Sequence, residues 1–340
     1  PVSFQSMSDP ALNRRAAHAY PLNMMLVSPV PYSDDKVGGH CLSPAVLTAT
    51  LLLSCIGVFA AETQVQRDIP YAEPSHERRS LDVYSPAEGD NHPIVVWVHG
   101  GAWRIGSKDS MELKPQVFTE QGCVFIPINY RFVPDATIGE IAGDVAKAIA
   151  WAHRHGRKYR GDPAVIFAMG HSAGAQLVAL VSTDESYLQA EGLSLAHLKG
   201  CVPIDGNTYD VVHMVKIGEA RQTRPYFDSH RRLFGHEAMQ QHLSAVNHVA
   251  PDKGIPPFLI LHVEDYTPIT RTGLQAHLLR SALTEQGRIS VKIRAIPGKT
   301  HQSINSEIGM PDDAATRAIF AFIRKQVGAS KEGLETKKKG

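Results

Sequence analysis

Short apolar runs alternate with amphipathic stretches along most of this chain. Two of the runs, residues 94–98 and 124–128, are bounded by Gly, Pro and Asn, as is typical of strands buried on both faces. Further apolar runs follow at residues 164–169, 201–204, 258–262 and 291–296. Apolar positions recur at helical spacing between them, in residues 141–152, 272–284 and 314–323.

This alternation predicts an α/β fold with a mainly parallel central sheet and helices on both faces. Because ligands bind such sheets at the carboxyl ends of the strands, we expect reactive side chains directly after strands. The predicted domain covers residues 62–329. Within it, residues 183–252 are polar, rich in His and Arg and less periodic, which predicts a small insertion over the active site. Residues 330–340 are predicted to be a disordered tail.

The first part of the chain has a different character. Residues 1–44 mix Ser, Pro, Asn, His and Met without a regular period, which predicts a disordered or non-native leader. Residues 45–61 form an uncharged apolar run that ends in small residues before Glu62, as secretory signals do. The run is shorter than the roughly 20 residues of a membrane-spanning helix, so we expect a secreted or periplasmic mature protein without a span. Residues 52–55 resemble a lipoprotein box, with a lipid anchor at Cys55 as the alternative.

Composition and charge narrow the functional classes. The 35 basic and 34 acidic side chains give a net charge of +1, so we expect no nucleic acid partner. The sequence shows no Gly-rich phosphate loop or dinucleotide fingerprint, and we expect no cofactor. His153 and His155 lack Cys or carboxylate neighbours at ligand spacing, so no metal site is predicted. Cys123 and Cys201 lie in apolar runs and are expected to be free, buried thiols.

Ser172 lies in the segment Gly-His-Ser-Ala-Gly at residues 170–174. The segment follows the strand at residues 164–169 and precedes helix-like residues 175–180, the context of a nucleophile elbow. Both glycines fit this turn, because a side chain at either position would collide with the neighbouring strand or helix. An ordinary strand-to-helix turn is the alternative. We predict that Ser172 is the attacking nucleophile.

Residues 99–103, His-Gly-Gly-Ala-Trp, follow the strand at residues 94–98. Adjacent glycines let such a loop approach substrate closely and direct backbone N–H groups at a carbonyl oxygen, where negative charge develops. The predicted oxyanion donors are the N–H groups of Gly101, Ala102 and Ala173. A plain Gly-Gly turn between strand and loop is the alternative.

A serine hydroxyl needs an imidazole to accept its proton and a carboxylate to orient that imidazole. Asp265 follows the strand at residues 258–262 and is the predicted acid. Glu264 is the alternative, because loop register cannot be determined from sequence. His301 follows the strand at residues 291–296 and is the histidine that obeys the chain order of Ser, acid and His. His301 is therefore the predicted base.

These motifs together resemble the α/β-hydrolase family of bacterial carboxylesterases, close to its hormone-sensitive-lipase-like and feruloyl-esterase-like branches. The resemblance extends from about residue 69 to residue 327 and is carried by residues 99–103, residues 129–131, residues 170–174, Asp265 and His301. The His-Gly-Gly-x-Trp form is also similar to that of kynurenine formamidases. Many relatives carry His-Gly-x-x-Asp at the acid strand, whereas residues 262–266 here are His-Val-Glu-Asp-Tyr.

The resemblance implies a serine carboxylic ester hydrolase that acts through an acyl-enzyme on a small short-chain or aryl ester. The alternatives are an aryl formamidase and, from another class, an inactive hydrolase fold used as a binding protein. His99 is expected to brace its loop, because the base in this fold follows both nucleophile and acid. Trp103 is expected to line the acyl or alcohol pocket, or else to belong to the core. Residues 205–210 follow a strand and should reach the rim of the site.

Overall fold

The computed structural model describes residues 63–220, 231–264 and 272–338. The predicted leader, the predicted signal segment with Cys55, and Asp265 lie outside the described residues.

An eight-stranded sheet forms the centre of the described chain. Its strands are β1 (Gln64–Pro70), β2 (Ser80–Ser85), β3 (His92–Val98), β4 (Val124–Ile128), β5 (Gly161–His171), β6 (Leu198–Ile204), β7 (Phe258–Val263) and β8 (Val291–Ile296). The spatial order is β1-β2-β4-β3-β5-β6-β7-β8. Only the pairs of β2 with β1 and with β4 are antiparallel among these strands, so the predicted mainly parallel sheet is confirmed.

Helices connect the strands and cover both faces. They include α1 (Lys114–Glu120), α2 (Ile138–His155), α3 (Ala173–Val181), α4 (Glu185–Gln189), α5 (Val211–Ala220), α6 (Glu237–His242), α7 (Thr272–Ser281), α8 (Ser303–Ser306) and α9 (Ala314–Lys338), with 3₁₀ helices at Gly156–Tyr159, Leu195–His197 and Ala245–His248 and a π-helical turn at Ala282–Gln286. Within the described residues, none of the helices has the length and apolar character needed to cross a membrane.

Consecutive residues of β3 divide the core into two layers because side chains alternate along a strand. Val96 packs on one face with residues of α2 and α3, including Ile141 and Leu177. Trp97 packs on the other face with residues of α1 and α9, such as Phe118. Both β3 side chains are almost fully buried, which explains why the run reads as continuously apolar in the sequence.

Two predicted boundaries differ from the structure. The segment 183–252 is not one insertion, because it contains the core strand β6. Among the described residues, the helices that come between β6 and β7 are α5, α6 and the 3₁₀ helix at Ala245–His248. The end of the chain also differs, since α9 continues to Lys338 through most of the predicted disordered tail. Lys, Glu and Leu are good helix formers, so a charged composition there is compatible with a continuing helix.

Cys123 and Cys201 are both buried, free thiols. Burial raises the pKa of each thiol to about 12. They therefore stay protonated at neutral pH and act as small apolar side chains in the core.

Candidate active site

Ser172 lies at the sharp turn between β5 and α3. Its backbone has φ 57° and ψ −117°, a strained conformation for a residue with a side chain. The Ser172 N–H donates a hydrogen bond to the Ile204 carbonyl, with 2.9 Å between N and O. This contact fixes the turn against the end of β6.

The two glycines of the elbow allow it to press against β3. A Cβ at Gly174 would lie 2.1 Å from the carbonyl oxygen of Val98, and a Cβ at Gly170 would lie 2.9 Å from the same atom. Gly170 also faces the Gly174 carbonyl oxygen, which would lie only 2.6 Å from its Cβ. The predicted reason for both glycines, close approach of neighbouring backbone, is therefore what the structure shows.

His301 lies in the loop between β8 and α8 and contacts Ser172. Its Nε2 is 2.9 Å from Ser172 Oγ, and its Nδ1 is 2.6 Å from Asp205 Oδ2. Because a carboxylate only accepts, Nδ1 carries the proton and donates it to Asp205, which leaves Nε2 free to accept from the serine hydroxyl. The structure brings together the serine and histidine that the chain order singled out.

Asp205 is the carboxylate that orients His301, and it lies directly after β6. Its side chain is fully buried, and its Oδ1 accepts a hydrogen bond of 2.9 Å from the Val263 N–H. Burial alone would raise the pKa of Asp205, but hydrogen bonds from His301, from the Thr272 hydroxyl and from Val263 hold it below its usual value. The group is therefore a stable carboxylate beside the imidazole.

The predicted acid was Asp265, which lies outside the described residues, so its role stays a prediction from sequence. The contact assigned to it, at His301 Nδ1, is made in the structure by Asp205. The alternative acid, Glu264, is exposed after β7. β6 and β7 are parallel neighbours, so their carboxyl ends meet at the same edge of the sheet. Chain order alone therefore does not distinguish an acid that follows β6 from one that follows β7. The sequence signal that identifies Asp205 is an aspartate directly after a strand that neighbours the strand of Ser172.

His171, the residue before the nucleophile, supports the loop that carries His301. Its Nε2–H donates to the His301 carbonyl over 2.7 Å, and the two rings lie 4.7 Å apart. Burial, with repulsion from His301, lowers the pKa of His171 to about 3. It is therefore neutral at working pH and acts as a hydrogen-bond donor. Sequence reasoning did not assign it a role, although its place inside the elbow motif was visible.

The predicted oxyanion loop turns sharply beside the elbow. Gly101, Ala102 and Trp103 all have positive φ, at 118°, 51° and 60°. A Cβ at Gly101 would lie 2.0 Å from the Ile105 carbonyl oxygen, so the turn requires glycine there. Gly101 and Ala102 line the same cavity as Ala173, with Ser172 between the loop and α3.

His99 braces this loop from behind, as predicted. Its Nδ1–H donates to the Gly100 carbonyl over 2.7 Å, and its ring stacks on Tyr130 with 4.4 Å between centroids. Its Nε2 accepts a long hydrogen bond of 3.4 Å from the Arg78 guanidinium. Burial lowers the pKa of His99 to about 4, so it stays neutral.

A cavity of about 550 Å³ opens onto Ser172 and His301. Besides the elbow and the oxyanion loop, it is lined by Ile105, Gly106, Ser107, Ser110, Glu112, Asn207, Thr272, Gln302 and Asn305. Trp103 borders the cavity but is only 2% exposed, because its Nε1–H donates to Gln176 and its ring meets Phe234 edge-on. Trp103 therefore belongs to the core and borders the cavity, and its contact with an acyl or alcohol group stays a prediction.

His171, Asp205 and His301 (the His301 group) place one ligating atom each within 4.8 Å of the others. A shared cation would have to displace hydrogen bonds that are already formed, since both ring nitrogens of His301 are engaged and His171 Nε2 donates to a carbonyl. The arrangement fits proton transfer to and from Ser172 instead.

The sheet order, the serine elbow after β5 and the histidine after β8 define the protein as an α/β-hydrolase. Solved structures with this fold include esterase B from Lactobacillus rhamnosis, at 16% identity and a TM-score of 0.66 over 81% of this chain and 90% of that one. A truncated carbohydrate esterase from gut microbiota matches at 19% identity and a TM-score of 0.62, over 79% of this chain and 98% of that one. These similarities concern the fold.

Residues 81–282 match the BD-FAE family, and the chain belongs to it. Esterase LipQ of Mycobacterium tuberculosis is 30% identical over 293 residues, which cover 81% of this chain and 66% of LipQ. A probable isoprenylcysteine alpha-carbonyl methylesterase of Oryza sativa subsp. japonica is 33% identical, over 45% of this chain and 37% of its own length. The kynurenine formamidase of Danio rerio is 32% identical, over 46% and 50%. The chain thus spans between 37% and 66% of the length of these relatives.

Proposed function

We propose that the protein is a serine carboxylesterase in which Ser172, His301 and Asp205 form the catalytic triad. The observation that carries the proposal is the continuous hydrogen-bonded chain from Asp205 Oδ2 through the His301 ring to Ser172 Oγ, at the edge of an open cavity. Membership of the BD-FAE family and the esterases among its relatives support the same reaction class.

The first step is attack of Ser172 Oγ on the ester carbonyl carbon. His301 Nε2 takes the hydroxyl proton as the new C–O bond forms, and Asp205 stabilises the resulting imidazolium. The negative charge moves to the former carbonyl oxygen. In this fold that oxygen meets N–H groups, and Gly101, Ala102 and Ala173 line the cavity where those donors are needed.

The second step breaks the ester. The tetrahedral intermediate collapses, and His301 returns its proton to the leaving alcohol oxygen, which leaves an acyl group on Ser172. Water then attacks the acyl-enzyme with His301 again acting as base, so that acid is released and the serine hydroxyl is restored. Each proton is accounted for by the one imidazole.

The proposed substrates are short-chain or aryl esters. The cavity is of moderate size, and its lining mixes apolar Ile105 and the glycine-rich loop with polar side chains such as Glu112 and Asn305. Such a site offers an apolar surface for a compact acyl or aryl group and hydrogen-bonding partners for its substituents.

A direct test compares Ser172→Ala with Ser290→Ala, an exposed serine at the end of the loop before β8. We expect Ser172→Ala to lose hydrolysis of p-nitrophenyl acetate and labelling by a fluorophosphonate, while Ser290→Ala keeps both. Retention of full activity by Ser172→Ala would overturn the proposal. Lack of fluorophosphonate labelling in the unmodified protein would favour the binding-protein alternative.

Formamide hydrolysis is the second candidate, favoured by the similarity to the zebrafish kynurenine formamidase. The same triad can attack a formyl carbonyl, with an aryl amine as leaving group. Comparison of kcat/KM for N-formylkynurenine, feruloyl esters and p-nitrophenyl esters of increasing chain length distinguishes the candidates. A clear preference for the formamide would replace the esterase proposal.

We also propose that the apolar run at residues 45–61 directs export, with lipid attachment at Cys55 as the alternative. Mass spectrometry of the mature N-terminus after expression in a bacterium distinguishes the two, because cleavage after residue 60 or 61 and a lipidated Cys55 give different masses. An uncleaved chain in the cytoplasm contradicts both.

A further inference from the structure

A second set of chemically active side chains lies outside the active-site cavity. Asp184, His242 and His248 (the metal group) place one ligating atom each within 4.8 Å of the others. Asp184 lies between α3 and α4, His242 is the last residue of α6, and His248 ends a 3₁₀ helix. None of the three lines the cavity that contains Ser172.

The Asp184 carboxylate is buried with one oxygen unsatisfied. The residue is 6% exposed, and its Oδ1 caps α4 by accepting the Ser186 N–H over 3.0 Å. Its Oδ2 is buried and has no hydrogen-bond partner within the described residues. A buried carboxylate oxygen without a donor is costly, so a positive partner is expected beside it.

His248 directs its Nδ1 toward that oxygen. Its Nε2 lies 2.6 Å from the His242 carbonyl oxygen and must donate a proton to it. In the neutral ring Nδ1 is then an unprotonated acceptor, and it lies 3.6 Å from Asp184 Oδ2. A positive charge between this nitrogen and the carboxylate is either a proton on Nδ1, which makes a long ion pair with Asp184, or a metal ion that both atoms bind. A ring N–H that donates to a carbonyl while the other nitrogen is free is also the usual arrangement of a metal-binding histidine.

The separation of these atoms fits a metal ion better than a hydrogen bond. A distance of 3.6 Å is too long for an N–H···O bond. Around a tetrahedral zinc ion with bonds of about 2.0–2.2 Å, neighbouring ligand atoms lie about 3.4 Å apart. The His242 ring, whose centroid is 5.6 Å from that of His248, can supply the third ligand with a small movement of an exposed side chain.

We propose that Asp184, His242 and His248 bind a divalent transition-metal ion of the zinc type. Two imidazoles with one carboxylate suit zinc and its neighbours, whereas calcium and magnesium prefer oxygen ligands alone. Sequence spacing could not indicate this site, because the aspartate is far along the chain from the histidines and the two histidines lie on different elements.

The bound ion would link the segment that follows β6 to the end of α3. Both histidines belong to the segment from α6 to the 3₁₀ helix, whereas Asp184 belongs to the core side. Leu243, next to His242, already accepts a hydrogen bond of 3.2 Å from Gln176 of α3. The metal therefore has a structural role, which adds a second and stronger link at a junction that exists without it.

The test is zinc titration of the full chain by calorimetry after treatment with a chelator. We expect one binding event that is weakened at least about tenfold in Asp184→Asn and in His242→Gln. Asn at position 184 keeps the helix cap, and His242 is exposed, so both variants should fold. His236→Gln, an exposed histidine at the start of α6, is the matched control and should bind zinc normally.

His301→Ala separates this site from the His301 group, because zinc binding that persists in this variant does not involve His301. Substitution of Co²⁺ gives a second readout, since imidazole and carboxylate ligands at a tetrahedral site produce visible d–d bands that the Asp184 variant should lose. The proposal is overturned if the full chain binds no zinc, or if binding and Co²⁺ spectra are unchanged in both metal-group variants. Binding lost only in His301→Ala would also overturn it.

Discussion

The His301 group and the metal group contain the same side chains, two histidines and one aspartate each. In the His301 group, both ring nitrogens of His301 and both oxygens of Asp205 have hydrogen-bond partners, and the chain of hydrogen bonds ends at the Ser172 hydroxyl. In the metal group, one carboxylate oxygen is buried without a hydrogen-bond donor among the described residues, and it lies 3.6 Å from Nδ1 of His248. The two groups have the same residue types but differ in their hydrogen bonds. The first arrangement can move a proton, and the second can hold a cation.

The largest expected effect is a difference in activity between the Asp205 and Asp265 variants. Asp205→Asn should lower kcat by about 10⁴-fold, because an amide no longer selects the His301 tautomer that accepts from Ser172. Steady-state kinetics on p-nitrophenyl acetate measures this. Asp265→Asn should retain activity within about one order of magnitude. If Asp265→Asn shows the large loss and Asp205→Asn does not, the acid predicted from sequence is the functional one.

A second effect belongs to the oxyanion loop, which has no counterpart beside the metal group. Gly101→Ala should lower kcat by about 10²–10³-fold, since a Cβ there would lie 2.0 Å from the Ile105 carbonyl and displace the proposed N–H donors. Fluorophosphonate labelling should slow in parallel while circular dichroism stays unchanged. Normal kcat in Gly101→Ala would remove this loop from the mechanism.

Zinc should stabilise the protein through the metal group alone. At a free zinc concentration about 100 times Kd, the expected gain is about 2.7 kcal/mol, or a Tm rise of about 5 °C. Asp184→Asn should lose this rise and keep kcat within about twofold when the chelator is present. Thermal scans with and without zinc measure the first, and ester hydrolysis measures the second. A large loss of kcat in Asp184→Asn would contradict the expected independence of the metal group from ester hydrolysis.

The smallest effect concerns buried neutral histidines near the active site. The pKa of His99 is lowered to about 4 and that of His171 to about 3, whereas both lie near 6.5 in the unfolded chain. Below pH 6.5 the unfolded chain therefore binds more protons, and the unfolding free energy falls as pH falls. Each histidine should contribute a loss of about 1.4 kcal/mol between pH 7.5 and 5.5.

Urea unfolding at the two pH values measures this loss in the unmodified protein and in His99→Gln. The variant should be less stable at pH 7.5, yet its stability should depend less on pH by about 1.4 kcal/mol. An unchanged pH dependence would mean that His99 is not held neutral by burial.

The features that sequence predicted are those set by local pattern. The strands are nearly continuous apolar runs, and Ser172 and His301 follow them in an order that few residues satisfy. The glycines around Ser172 were interpretable because close backbone contact has one chemical requirement, the absence of a Cβ. These features need no knowledge of how distant segments meet.

The missed features all depend on how distant segments meet. Asp205 reaches His301 because β6 and β8 both end at the same edge of the sheet, and several carboxylates after strands were equally compatible with that edge. His171 supports the His301 loop through one hydrogen bond to a carbonyl, which no side-chain pattern records. The metal group joins the end of α3 to a segment that begins after another strand.

The contact between the elbow and β3 has a consequence for attempts to alter specificity. The Val98 carbonyl oxygen occupies the space that a side chain at Gly170 or Gly174 would need. Directed evolution should therefore tolerate no side chain at these two positions, whereas Ile105, Glu112 and Gln302 are exposed residues that border the same cavity. Libraries that vary the rim and leave the elbow intact would sample new substrates without disturbing the reacting serine.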